Sequence, residues 1–111
     1  MNNAMTAGDA GASDRMRPLI DLIGANRDAF RCCFDLWGRD HPGVDGRIVL
    51  VVKLAPSGEV KEAAVDASRS DVHAPEVDAC VADVARALPY PPSPSGKETT
   101  YSHQFNFSAR P

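Results

Sequence analysis

"GRIVLVVKLAPSGEVKEAAVDAS", residues 46–68, decides the fold. From Arg47 to Ala55 the apolar residues alternate: Ile48, Leu50, Val52 and Leu54 share one face, with Val49, Val51 and Lys53 on the other. A period of two marks a strand. The two valines on the second face predict partial cover there as well. Pro56 then pre-sets the backbone for a turn and Gly58 supplies positive φ. A second strand is predicted from Val60 to Ser68, with Ala63, Val65 and Ala67 on one face. Two strands joined by so short a turn form an antiparallel hairpin.

On the C-terminal side, "SRSDVHAPEV" reads as a connecting loop. Pro75 stands at a first helical position with Glu76 in the first turn. Val77, Cys80, Val81, Val84 and Leu88 follow at helical spacing, and Pro89 ends the helix. "PYPPSPSG" is too rich in proline for a helix or a central strand and is an extended connector. Thr99 to Ser108 alternates again: Tyr101, His103, Phe105 and Phe107 face one way, Ser102, Gln104, Asn106 and Ser108 the other. This is a last strand with one aromatic face turned to the core.

On the N-terminal side, Asp14 to Trp37 reads as one amphipathic helix. Met16, Ile23, Phe30 and Trp37 recur every seven residues, and Leu19, Ile20 and Phe34 widen the stripe. Ser13 or Asp14 is the expected cap, and Pro18 places the start near itself, because proline suits only a first turn. "GRDHPGVDG" after it is a loop. The first fourteen residues are small, polar and Gly/Ala-rich, with no apolar signal-peptide core. They read as a flexible lead-in (1–14) to a single domain (15–109). The predicted fold is α+β, in the order α-β-β-α-β, with a three-stranded antiparallel sheet and both helices packed on one face.

Composition narrows the function. The 111 residues suit one domain, and 43% hydrophobic with 24% charged residues is ordinary globular composition. A net charge of −3 argues against nucleic acid, which calls for a basic face. "IVLVV" is far too short to span a membrane. "GRDHPGVDG" lacks the lysine and the preceding strand of a phosphate loop. Asp66, Asp71, Asp78 and Asp83 form no catalytic pair.

Three cysteines remain: Cys32, Cys33 and Cys80. Cys33 lies on the apolar side of the first helix and Cys80 on the stripe of the second. With both helices on one sheet face, the two thiols could meet, either as a disulfide or as reduced core residues. Cys32 falls about 100° around the helix from Cys33, towards the core edge or solvent. A thiol enzyme using Cys33 or Cys32 would need a base, and no spacing ties His41, His73 or His103 to either. No Cys-x-x-Cys or His-x-x-x-His pair suggests zinc. No cofactor is expected.

The order of these marks resembles a known family. Cys33-Phe34 on the first helix, Gly46-Arg47 opening a strand, the hairpin Pro56 to Val60, Cys80-Val81 on the second helix and the final Phe105-x-Phe107 are together similar to the TonB-like C-terminal domains of the AgmX/PglI type, found in cell-envelope proteins of gliding bacteria. The resemblance runs from Leu19 to Phe107. The chain departs from the family at Phe34, where tyrosine is usual, at His103-Gln104, and at the additional Cys32. The resemblance implies a Cys33–Cys80 disulfide. It further implies a non-enzymatic protein-interaction domain in the periplasm, working in energy transduction or gliding, with any signal or membrane anchor outside this chain. It also implies binding of a protein or peptide partner by strand addition. The last strand is the expected acceptor, through Tyr101, Ser102, His103, Gln104 and Asn106. For His103 the alternatives are a half-buried structural histidine and a contact or pH-sensitive residue. For the edge they are partner binding and a homodimer.

Overall fold

A computed structural model describes the backbone of residues 7–108 and the side chains of residues 16–108. The first helix begins at Ala7, so Ser13 and Asp14, the expected caps, lie within it and not at its start; the first six residues of the lead-in lie outside the described backbone. The fold is α+β. Helices α1 (Ala7–Ala25) and α2 (Arg27–Gly38) precede strands β1 (Gly46–Leu54) and β2 (Val60–Val65). Helix α3 (Pro75–Arg86) and strand β3 (Thr99–Phe107) complete the described residues.

The expected single helix is therefore two, which makes three α-helices among the described residues in place of the expected two. The break is at Asn26. Its amide bonds Ile23 O at 3.1 Å, and its side-chain Nδ2 donates to Leu22 O at 2.9 Å. Asparagine competes in this way for carbonyls that a continuing helix would use. Ile23, Phe30, Cys33 and Phe34 are all buried despite the break, so the apolar stripe continues across it. Pro18 lies inside α1 rather than at its start; the cost is one intrahelical bond.

The sheet order is β2-β1-β3, antiparallel throughout. Ile48, Leu50, Val52 and Leu54 of β1, with Ala63 of β2 and Phe105 and Phe107 of β3, form the buried face of the sheet. Leu19, Ile23, Phe30, Phe34, Val77 and Val81 pack against it in one core. Two phenylalanine pairs tie α2 to β3: Phe30–Phe105 with ring centroids 4.7 Å apart and Phe34–Phe107 at 5.2 Å. Cys33 of α2 and Cys80 of α3 are joined by a disulfide, Cα–Cα 5.6 Å. Its 47-residue separation corresponds to about 4 kcal/mol of loop-closure entropy removed from the unfolded chain.

The second strand is shorter than expected. Ala67 and Ser68 belong to a 3₁₀ turn, Ala67–Arg69, because Asp66 turns the chain: its carboxylate accepts from Ser68 N at 3.0 Å and from Ser68 Oγ at 2.6 Å. The chain beyond β2 still lies along β1. Val49 O accepts from Asp66 N and Arg47 O from Asp71 N, both at 2.8 Å. Arg69 then reaches Ser102 Oγ on β3 at 3.2 Å, crossing β1 on the face opposite the helices. Val49 on that face is 3% exposed, which is the partial cover its sequence predicts.

At the hairpin tip, Gly58 has φ +96°, and an added Cβ would lie 2.5 Å from the Tyr90 carbonyl oxygen. Ser93 N donates to Pro56 O at 2.8 Å. The proline-rich connector is thus pinned against the turn and delivers the chain to β3 at a fixed place.

Candidate functional site

Strand β3 is an edge of the sheet, and the geometry of β1 determines what that edge offers. In an antiparallel ladder, opposed residues alternate between exchanging backbone hydrogen bonds and directing them outward. Arg47 and Val49 spend their backbone groups on the Asp66–Asp71 side. Their partners in β3, Asn106 and Gln104, therefore point N–H and C=O away from the sheet. Ser102 and Thr100 continue the same alternation. Arg27 at the start of α2 confirms the phase, since its guanidinium donates to Asn106 O at 3.1 Å. It is the one side chain among the described residues that reaches this row of backbone groups.

The residues expected at the edge thus divide by role. Ser102, Gln104 and Asn106 carry the outward backbone groups, with exposed side chains on the face opposite the helices. Tyr101 and His103 pair their backbones with Val52 and Leu50 of β1. They contribute side chains instead, half-buried on the helix side. Tyr101 Oη and His103 Nδ1 lie 2.7 Å apart, and the imidazole packs against Phe105 at 4.6 Å between ring centroids. Burial lowers the His103 pKa and raises that of Tyr101. The tautomer of the imidazole sets which of the two groups donates. Thr100 was missed by sequence reasoning. Its only signal was its parity with Ser102, Gln104 and Asn106.

A groove of about 370 Å³ opens where β3 begins, lined by Met16, Pro18 and Leu19 of α1, Leu54, the connector Pro91–Ser95, and Lys97 to Thr100. Its walls are mainly apolar. It shares Thr100 with the open edge, so edge and groove are continuous.

The other candidates are placed differently. Cys33 is buried in the disulfide and Cys32 is exposed. His41 is engaged elsewhere: Nδ1 lies 2.9 Å from Trp37 O and the ring stacks on Trp37 at 4.1 Å. Among the described residues, no base lies within hydrogen-bonding distance of Cys32, and no three potential metal ligands cluster. No helix is long and apolar enough to cross a membrane among the described residues. Comparison with protein-family models, curated proteins and solved structures returns no match.

Proposed function

We propose that this chain is a non-enzymatic protein-interaction domain that binds an extended segment of a partner by adding it as a fourth strand beside β3. The supporting observation is the row of outward backbone groups at Thr100, Ser102 and Gln104, on a strand with no internal proline or charge to block pairing. In this mode backbone hydrogen bonds supply affinity, and side chains at alternate positions supply choice. Tyr101 and His103, half-buried at the rim of the helix face, are where an incoming side chain would pack.

The disulfide fits an oxidising compartment. With the family resemblance, it supports a periplasmic site of action in an envelope-spanning complex of the energy-transduction or gliding type. The partner is then a protein segment of the cell envelope, and the edge of a second copy is its competitor for β3.

Gln104→Pro tests the proposal. The Gln104 N–H points outward, so proline there leaves the β1–β3 ladder whole while removing a donor from the open edge. Peptides selected from a displayed random library on the wild-type domain should lose most of their affinity for the variant. Unchanged affinity, with the fold intact by circular dichroism, would sink the strand-addition model. If the wild type is instead a dimer that the proline splits, the edge serves self-pairing.

A further inference from the structure

We infer that the segment added beside β3 is acidic, with carboxylate side chains near both ends of the paired stretch. The inference rests on the strand-addition reading and names the chemistry of the partner. Two cations flank the open edge, and neither has an ion-pair partner among the described residues. Arg27 stands at the Asn106 end, its guanidinium 4.8 Å from the Phe107 ring centroid and hydrogen-bonded only to a backbone carbonyl. Lys97 stands at the Thr100 end, in the wall of the groove.

Two neighbouring charges are already matched, and Asp28 follows Arg27 in the first turn of α2. Glu98 is paired with Lys61, which holds its carboxyl below the usual range. Arg31 is paired with Asp35 at 3.2 Å. Strand β3 carries no charged side chain. The edge therefore presents a cation at each end and no negative charge on β3 itself, with the Glu98 carboxylate beside Lys97 held by Lys61, although the whole chain carries −3. At physiological salt the screening length is ~8 Å, so these two local cations, not the net charge, act on an incoming strand.

The spacing follows from the strand. Thr100 to Asn106 is about 20 Å at ~3.4 Å per residue, so the carboxylates stand about six residues apart. Arg27 also limits the register. It occupies the Asn106 carbonyl, so backbone pairing covers Thr100 to Gln104. A partner carboxylate beyond Gln104 meets the guanidinium. At the other end the groove takes an apolar side chain beside Lys97.

Three acetylated, amidated decapeptides with the same alternating valine–threonine centre test this: one with glutamates, one with glutamines and one with lysines near both ends. Blocked termini exclude a contribution from a terminal carboxylate. The glutamate peptide should bind wild type about three- to tenfold more tightly than the glutamine peptide in low salt, with the gap closing at high salt. Arg27→Glu combined with Lys97→Glu should reverse the order in favour of lysine. Equal affinities on wild type, a preference for lysine, or no binding of any peptide would overturn the inference. Equal affinities that all collapse in Gln104→Pro would overturn the acidic partner and leave strand addition standing. A glutamate preference undiminished in Gln104→Pro would overturn both, because the cations would then be reading the peptide away from the edge.

Discussion

The Ser70 hydroxyl accepts a hydrogen bond from the Val49 amide at 2.9 Å, in place of the strand that β2 no longer provides there. The same hydroxyl donates to Asp66 O at 2.7 Å, and Ser70 is 7% exposed. With the Asp66 and Asp71 amides and the Asp71 carboxylate, this side chain occupies the backbone groups of Arg47 and Val49 on the inner edge of β1, in the phase that leaves Gln104 and Asn106 facing outward. Ser70→Ala leaves the Val49 amide buried without a partner, at a cost of about 1–3 kcal/mol. Urea denaturation should show the loss as a lower midpoint with an unchanged slope. A midpoint equal to that of the wild type would mean that water replaces the hydroxyl.

The disulfide gives a two-part prediction. Oxidised, folded protein should take up one alkylating label, on Cys32, because Cys33 and Cys80 are bonded. Replacing both bonded cysteines by alanine should cost about 2–4 kcal/mol. Three labels on the native oxidised chain, or a double variant as stable as wild type, would contradict the staple.

Gly58→Ala should destabilise by about 1–3 kcal/mol. Two effects add: the positive φ of +96° disfavours any side chain, and the new methyl would overlap the Tyr90 and Pro91 carbonyls. Those carbonyls belong to the connector that lines the groove. The variant should therefore also shift amide resonances at Ser93, whose N–H bonds Pro56 O. A thermal midpoint unchanged from wild type would contradict this packing.

His103 makes stability depend on pH. Burial depresses its pKa in the fold, so below about pH 6.5, the ordinary histidine value, the unfolded chain binds more protons than the folded one. Its contribution is complete above that value and falls as pH drops from there towards the lower folded pKa. Asp66 and Glu98, with lowered pKa values, lose their contributions only at more acid pH. Asp78, raised chiefly by burial, acts in the opposite sense. Urea midpoints between pH 7.5 and about 5.5 should fall for wild type and stay nearly level for His103→Gln. Parallel slopes would place the dependence elsewhere.

Much of this architecture is legible in the chain. The strands show because Ile48 to Leu54 and Tyr101 to Phe107 alternate with period two, and α3 because Pro75 starts it on a helical stripe. The break at Asn26 is hidden because Ile23 and Phe30 continue one buried face across it. The role of Ser70 is hidden in a loop, where a hydroxyl's partner is decided by tertiary placement. At the candidate site, sequence identifies the strand and its two faces. Which backbone groups point outward follows only from where Asp66 to Asp71 lie against β1. Arg27 carries no pattern at all, since its contact with Asn106 spans 79 residues.

Amide-resolved hydrogen exchange along β3 tests the central claim most directly. In the free domain the amides of Tyr101, His103 and Phe105, paired with β1, should exchange slowly, while those of Thr100, Ser102 and Gln104 exchange fast. Saturation with a selected peptide should slow the fast set and leave the slow set as it was. If a bound peptide leaves Thr100, Ser102 and Gln104 exchanging at their free rates, the partner does not add to this edge.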